Sequence, residues 1–261
     1  MKKNILKFFV ITFIFSNGII PKLSFSEATD LKSEFSQIYA LYKKGVYAQA
    51  IEALTALEKK SNAGINEYWL GLCYARLQNF ESSSQHFEKA SRLGFQAEDL
   101  DYELGQALYA TGKIKPAQEA FKRSKEKKYK VGPSLYYIGY IQQSLEDYQG
   151  ALNSYNEIQK SKEDPDHIKQ SALLQVAEIR FTQASGAKDK LRTEIIPIFR
   201  KVRDFDATTP IGLQAQRRIQ EIYQTISAAI PRFKNGSPIS AQPGYLKFSE
   251  DFKYDSNVIT S

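Results

Sequence analysis

The chain has 261 residues, of which 42% are hydrophobic and 25% are charged, and it contains one cysteine, Cys73. A single cysteine excludes an internal disulfide, so burial of apolar side chains must hold the fold together, for which a chain of this length suffices. The formal net charge of +7 falls to +3 once the four lysines of residues 1–26 are set aside, which leaves only a mildly basic protein.

Residues 1–26 have the pattern of a secretory signal peptide. Three lysines among the first seven residues precede an apolar run, Phe8–Phe15, and small residues stand at Ser24 and Ser26, where a signal peptidase reads. The apolar run is shorter than the roughly 20 residues of a spanning helix, which argues against the alternative of a membrane anchor. We expect cleavage before Glu27, a periplasmic location and therefore no nucleic-acid partner.

A period of 34 residues governs the next part of the chain, where Gly71, Gly105 and Gly139 each follow an aliphatic residue. Twelve and sixteen residues after the glycines stand a small and an aromatic residue: Ser83 and Phe87, Ala117 and Phe121, Ala151 and Tyr155. A small residue lets two helices approach closely, and an aromatic four positions later on the same helix face fills the space beyond. The pattern therefore predicts an array of helical hairpins. An earlier stretch, with Ile38 at the glycine position, fits more loosely.

This pattern resembles the tetratricopeptide repeat, whose first helix carries a small residue, usually Gly, and whose second helix carries Ala, an aromatic and Ala. The chain departs from the family at Ser83, which replaces the first Ala. In the register of the family's tryptophan stand Glu67, Asp101 and Leu135. The resemblance implies four repeats over residues 27–163 and an all-α, right-handed superhelix of stacked helical hairpins.

Beyond the fourth repeat the period lapses, and residues 164–230 are interpreted as a divergent helical hairpin plus a capping helix. The dipeptide Asp164-Pro165 predicts a helix that begins with Asp164 as its cap. Pro197 is expected to kink the following helix or to break it in two. A last helix, starting near Pro210, is expected to cover the exposed end of the array.

Residues 231–261 are predicted to form a Pro/Gly linker and then a strand-like or disordered tail. Leu246 and Phe248, and then Phe252 and Tyr254, alternate with polar neighbours as in a strand. The tail resembles the first strand of an outer-membrane β-barrel, a structure that needs about eight strands or more. Three interpretations stay open: the chain is a piece of a longer barrel protein, the tail adds to another sheet, or it is a disordered end.

No catalytic constellation or metal site is recognisable in the sequence. His86 and His167 lie in different repeats, and both are expected at solvated positions. Neither a metalloprotease motif, nor a Gly-rich phosphate loop, nor a Cys/His cluster is present, and Cys73 is expected to be a small core residue. We therefore expect a protein that is not an enzyme and that binds no cofactor.

Tyrosines are concentrated on the first helices of the repeats. In the family that the chain resembles, ligands lie along a concave face that these helices line. Carried over by register, the residues predicted to line this groove are Tyr39, Tyr42, Tyr68, Trp69, Tyr102, Tyr109, Tyr136 and Tyr140. Tyr68, Tyr102 and Tyr136 share one register, so the alternative for these three is that they pack between helices in place of the missing tryptophan.

Such a groove suits a peptide, which would bury apolar area on the rings and hydrogen-bond to the hydroxyls, or a polysaccharide, whose sugar faces would stack on the rings. We expect a protein–protein interaction scaffold in the bacterial periplasm, with a peptide or protein partner. The alternative is the periplasmic part of an outer-membrane transport, secretion or polysaccharide-export device whose barrel begins near residue 245.

Overall fold

The computed structural model describes residues 25–58, 63–228, 232–234 and 237–239. Residues 1–24 of the predicted signal peptide and the strand-like tail from residue 240 lie outside these ranges, so the predictions made for them stay predictions. The chain forms two compact units, the first ending at Lys113 and the second beginning at Ile114.

The first unit consists of α-helices joined by short turns. Its described helices, numbered in chain order, are α1 (Phe25–Lys43), α2 (Tyr47–Glu58), α3 (Gly64–Arg76), α4 (Phe80–Arg92) and α5 (Leu100–Ala110). Each of these helices packs against the next one along the chain, and α3 also contacts α5. The result is a stack of antiparallel helical pairs, as the periodic pattern predicts.

The second unit continues in the same way and ends in a small β-hairpin. Its described helices are α6 (Ile114–Glu126), α7 (Val131–Ser144), α8 (Tyr148–Lys160), α9 (Asp166–Gln183), α10 (Lys188–Lys190), α11 (Ile196–Phe205) and α12 (Pro210–Ala228). Two antiparallel strands, β1 (Arg232–Lys234) and β2 (Ser237–Ile239), pair with Phe233 opposite Pro238. The prediction of an all-α array of stacked helical hairpins is confirmed within each unit. The β-hairpin of β1 and β2 is the β structure of the described residues.

The recurring glycines are required by close packing of the two helices of a hairpin. A Cβ atom on Gly71 would lie 2.6 Å from the Phe87 ring, and one on Gly139 would lie 2.8 Å from the Tyr155 ring. Both distances are far below van der Waals contact. Ser83, which replaces the family's Ala, donates a 2.9 Å hydrogen bond to the carbonyl oxygen of Gly71, so its hydroxyl is satisfied inside the hairpin.

A residue with positive φ closes the turn after α1, α3, α5 and α7. These residues are Gly45, Gln78, Gly112 and Glu146, with φ of 79°, 59°, 75° and 61°. The left-handed conformation strains any residue with a Cβ, so glycine is the favourable choice. The chain uses it in two of these four turns, and Gln78 and Glu146 take the strained conformation in the other two.

Apolar clusters fill the space between successive helices. In the first unit one cluster joins α1, α2 and α3, and its buried members are Ile38, Ala50, Leu54, Leu57, Leu70 and Cys73. Cys73 is therefore a core residue, as predicted. In the second unit one cluster surrounds Tyr155 and Ile158 of α8, and another surrounds Phe199 of α11 and Ile222 of α12.

Asp164 caps a different helix from the one predicted. The residue before α9 is Pro165, and no side chain caps that helix. The Asp164 carboxylate instead accepts a 3.1 Å hydrogen bond from the backbone N–H of Gly132 in the first turn of α7. A Cβ on Gly132 would collide with this carboxylate, so glycine is needed for the cap to reach a helix N-terminus distant in sequence.

Pro197 does not break its helix in two. Residues Leu191–Ile195 form a π-helical turn that connects α10 directly to α11, and Pro197 lies in the first turn of α11. Because proline has no N–H to donate and its ring crowds the preceding turn, a locally wider turn accommodates it without ending the helix.

Candidate functional site

A group of aromatic rings forms where α1 and α3 of the first unit meet. Tyr39 and Tyr42 are three residues apart and therefore lie on one face of α1. The ring of Trp69, on α3, meets both edge-on, with centroid distances of 5.8 Å to Tyr39 and 5.3 Å to Tyr42. These T-shaped arrangements are the favoured geometry for aromatic pairs. We call Tyr39, Tyr42, Trp69 and the neighbouring Arg76 the aromatic cluster.

The aromatic cluster presents ring surface to solvent. Tyr39 is 41% exposed, although it is a large ring, and both Tyr42 and Trp69 are partly exposed. Because the rings come from two helices that pack through α2, their spacing is fixed by the hairpin core and not by a flexible loop. The three predicted groove residues Tyr39, Tyr42 and Trp69 are thus brought together.

Arg76 completes the cluster at the C-terminal end of α3. Its guanidinium carbon lies 6.0 Å from the centroid of the Tyr42 ring. Burial raises the pKa of the Tyr42 hydroxyl, an effect that Arg76 partly opposes. Burial lowers the pKa of Arg76, but the nearby Tyr42 and Glu103 of α5 outweigh it, so the pKa is raised and the guanidinium stays charged.

Tyr68, next to Trp69, points into the protein and is only 8% exposed. Its hydroxyl donates to both carboxylate oxygens of Asp99, at 2.8 and 2.7 Å, and its ring lies 5.0 Å from that of Phe95. Burial and the adjacent carboxylate both raise the pKa of Tyr68 far above its usual value. Tyr68 thus joins α3 to the start of α5, which is the packing alternative considered for its register.

Tyr102, the predicted groove residue that shares the register of Tyr68 in the first unit, is also internal. Tyr102, on α5, is 1% exposed and belongs to the core. Tyr109, in the last turn of α5, is partly exposed. Of the predicted residues in the first unit, Tyr68 and Tyr102 therefore offer no open ring surface, whereas Tyr39, Tyr42, Trp69 and Tyr109 do.

In the second unit, Tyr136 and Tyr140 lie one turn apart on α7 and are both partly exposed. The Tyr136 hydroxyl accepts a 3.4 Å hydrogen bond from the side-chain amide of Gln175 on α9, and its ring lies 5.8 Å from that of Tyr155. Burial raises the pKa of Tyr136 to about 12. Tyr136 thus packs against neighbouring helices and also keeps part of its side chain exposed.

His86 is only partly exposed and makes specific contacts, which differs from the solvated position expected for it. Its Nδ1 lies 2.7 Å from a carboxylate oxygen of Glu67, and its ring stacks on Tyr74 at 5.2 Å. Glu67 is completely buried, and its other oxygen lies 2.6 Å from the ammonium of Lys89. A buried carboxylate needs such partners. The sequence did hold a signal for this contact. Glu67 stands in the register of the missing tryptophan, a core position, and a buried acid there needs cationic partners such as His86 and Lys89 on the next helix.

The described residues contain little that suggests catalysis. Burial raises the pKa of the Cys73 thiol to about 11, which keeps it protonated and unreactive near neutral pH. No group of three or more His, Cys, Asp and Glu side chains in the described part of the chain is arranged to hold a metal ion. Among the described helices, none combines the length and apolarity that crossing a membrane requires.

Comparison with known proteins identifies the fold. No protein-family model matches the sequence, and no curated protein matches it. Among solved structures, the chain is similar to YrrB, described as a TPR protein with an unusual peptide-binding site, with a TM-score of 0.59 and 21% identity over 75% of this chain and 98% of that one. MamA gives a TM-score of 0.54 at 17% identity, covering 70% of this chain and 95% of that one.

A third similar structure is the APC/C hetero-tetramer Cut9–Hcn1, with a TM-score of 0.51 and 15% identity over 75% of this chain and 38% of that one. At these identities the similarity establishes the architecture alone. The chain has the fold of a tetratricopeptide-repeat protein.

Proposed function

We propose that this protein is a non-enzymatic protein–protein interaction scaffold that holds a peptide segment of its partner against the aromatic cluster. The observation that carries the proposal is the ring surface of Tyr39, 41% exposed and braced edge-on by Trp69. The similarity to YrrB supports a peptide ligand, because that structure is described as having a peptide-binding site.

Aromatic rings fixed on a helical framework are well suited to this role. Tyrosine and tryptophan bring a large apolar area and a polar tip, and they lose little conformational entropy because they have only two side-chain torsions. Tyr39 and Tyr42 already pack against Trp69 in the unbound chain, so less ordering free energy opposes binding.

We assign a supporting contact to Tyr109 on α5, the other partly exposed tyrosine of the predicted groove in the first unit. Rings of this kind would also stack on sugar faces, so a polysaccharide is the alternative ligand. A competition experiment distinguishes the two. Unlabelled partner peptide is expected to displace the bound partner, whereas displacement by envelope oligosaccharides would favour the polysaccharide.

Site-specific photocrosslinking tests the proposal. A benzophenone amino acid placed at position 39 is expected to crosslink a defined protein in living cells. The same probe at position 223, on α12, is the matched control, because Tyr223 is 42% exposed and therefore equally accessible. Equal crosslinking to the same proteins from both positions would show that the cluster is no particular binding surface.

The proposed place of action is the bacterial periplasm, supported by the sequence pattern of residues 1–26. Removal of these residues is expected to shift the protein from the periplasm to the cytoplasm. Fractionation of cells that express the chain with and without residues 1–26 measures this. The outer-membrane alternative depends on residues 245–261, and the coding sequence that follows Ser261 tests it, because a barrel requires several further alternating strands.

A further inference from the structure

The second unit carries a strongly basic surface. We call residues 122–130 the basic segment, which covers the end of α6 and the connection to α7. Its one acidic residue is Glu126, and its basic residues are Lys122, Arg123, Lys125, Lys127, Lys128 and Lys130. Lys125 is partly exposed, and all the other charged side chains of the segment are exposed.

The repeat fold does not require cations in this connection. The connection after α4 has the same three backbone hydrogen bonds as the connection after α6, shifted by one period of 34 residues. Residues 93–97 of that equivalent connection contain no basic side chain. At the shared left-handed position, one connection has Gly94, with φ of 79°, and the other has Lys128, with φ of 59°. A lysine is more strained there than a glycine, so backbone geometry does not explain it.

The helix dipole explains only part of the charge. Cations are favoured in the last turn of a helix, where Arg123 and Lys125 lie. Lys127, Lys128 and Lys130 follow the end of α6. Lys130 is the N-cap residue of α7, where a cation opposes the dipole, and its φ of 43° is also left-handed. Local stability therefore does not account for the lysines of the connection.

Acidic residues nearby do not neutralise the basic segment. Helix α7 has no charged residue. The rest of α6, α8, the connection from α8 to α9 and the first turn of α9 together add Lys115, Glu119, Glu157, Lys160, Lys162, Glu163, Asp164, Asp166 and Lys169. With the segment itself, these elements hold ten basic and six acidic residues.

The contacts of the basic residues within the chain leave this excess in place. The ion pairs Lys122–Glu119 and Lys125–Glu157 are both exposed to solvent, and exposed pairs of this kind are weak. Arg123, Lys127 and Lys130 also make contacts within the chain. Because the acids are fewer than the bases, no arrangement of these pairs removes the positive charge.

The basic segment suits a charged plane better than a bound peptide. It contains no large hydrophobic side chain that is fully exposed, and its one tyrosine, Tyr129, is partly exposed with the Lys130 ammonium 5.9 Å from the centroid of its ring. It therefore offers little apolar area on which a peptide could be held. Lysines are compact charges on flexible stems, which need no fixed geometry of the opposite charge. Anionic lipid head groups present such charge, and a tyrosine beside lysines is typical of side chains at a membrane interface.

We propose that the basic segment attaches this protein peripherally to the anionic head groups of a lipid bilayer. Lys127, Lys128 and Lys130 supply the attraction, and Tyr129 lies at the level of the head groups. This inference concerns a different surface from the aromatic cluster and does not depend on the peptide-binding function.

Cosedimentation with lipid vesicles tests the proposal. The full chain is mixed with vesicles of phosphatidylcholine alone, or of equal parts phosphatidylcholine and phosphatidylglycerol. We expect binding to the anionic vesicles only, and loss of that binding at about 0.5 M salt, because exposed charges are then screened. The chain that begins at Glu27 is measured in parallel, because residues 1–26 contain four lysines and an apolar run that also attract lipid.

Substitutions in both forms of the chain locate the contact. Lys127→Gln, Lys128→Gln and Lys130→Gln together are expected to weaken binding to the anionic vesicles at least about ten-fold. The matched control replaces three other exposed lysines of the second unit by glutamine, at positions 188, 190 and 201, and should stay within about two-fold. Tyr39→Ala should leave lipid binding unchanged. Thermal unfolding followed by circular dichroism checks that each protein is folded.

Four outcomes would overturn the proposal. Equal weakening by the two sets of lysine substitutions would show that total charge and not the basic segment governs binding. Equal binding to phosphatidylcholine alone would exclude an electrostatic contact, and binding that is lost with residues 1–26 would belong to those residues. Binding of an oligoglutamate peptide through the same three lysines, without binding to the anionic vesicles, would assign the segment to an acidic protein partner.

Discussion

Tyr68 and its neighbour Glu67 show how polar side chains replace a large apolar one in a repeat core. Both lie at or beside the register where the family has tryptophan, and both are buried. Each finds partners on a following element: Asp99 for the Tyr68 hydroxyl, His86 and Lys89 for the Glu67 carboxylate. The first unit therefore depends on a few specific hydrogen bonds in addition to apolar burial, because an unpaired buried polar group would be costly.

Tyr68→Phe is expected to lower the free energy of unfolding by about 1–3 kcal/mol near neutral pH, because Asp99 loses its donor. The pKa of Tyr68 is raised in the folded state, so its contribution is fully present below the unfolded pKa of about 10 and is lost as pH rises above it, by up to about 1.4 kcal/mol per pH unit. Urea unfolding of both proteins between pH 8 and 11 measures this. A difference in stability that stays constant over that range would contradict the account.

Gly71→Ala is expected to destabilise the hairpin formed by α3 and α4, because the new methyl group would lie 2.6 Å from the Phe87 ring. Overpacking of this kind costs about 1–3 kcal/mol, which exceeds the gain of about 1 kcal/mol in helix propensity. Phe87→Leu makes room for the methyl group, so the double variant should lose less stability than the sum of the single variants. Strict additivity in chemical denaturation would show that the two side chains do not compete for space.

At the scale of elements, a buried amide joins the divergent C-terminal helices in addition to the apolar cluster that they share. Gln170 of α9 is buried, and its amide nitrogen donates to the carbonyl oxygens of Val202 and Asp206, at 3.0 and 2.9 Å. Its amide oxygen accepts from the Thr209 hydroxyl at 3.0 Å. These partners are the end of α11 and the residues before α12, so the amide satisfies backbone groups that a helix end otherwise leaves unpaired.

Gln170→Met keeps the length of the side chain and removes all three hydrogen bonds. We expect a loss of about 1–3 kcal/mol of stability, mainly because the buried carbonyl oxygen of Val202 loses the Gln170 amide as its partner, whereas Thr209 and Asp206 keep the hydrogen bond between them. Gln183→Met, at the exposed end of the same helix, is the matched control and should change stability by less than about 0.5 kcal/mol. Similar melting temperatures for the two variants would refute the role assigned to Gln170.

Elements also show what the sequence could predict. The matched glycine, small and aromatic positions predict helical hairpins because the same close contact recurs in each repeat. The capping role of Asp164 and the π-helical turn before Pro197 could not be predicted, since the first depends on Gly132, 32 residues earlier, and the second on how neighbouring helices hold a local distortion. Long-range partners of this kind leave no periodic trace.

For the whole molecule, register predicts which residues share a helix face but not which of them stay exposed. Tyr39, Tyr42 and Trp69 come together on partly open surface as the register predicts. Tyr68 and Tyr102 are internal. The ring of Tyr68 packs against Phe95 and its hydroxyl donates to Asp99, and both of these partners lie in the irregular connection between two repeats. Exposure is thus decided by the residues that vary between repeats.

The affinity of the partner captured from position 39, measured for the full-length protein and two variants, tests the binding surface most directly. Tyr39→Ala is expected to weaken binding at least about ten-fold, as removal of a central aromatic anchor does, while Tyr223→Ala should leave it within about two-fold. Unchanged affinity for Tyr39→Ala, or an equal loss for Tyr223→Ala, would contradict the claim that the aromatic cluster is where this protein holds its partner.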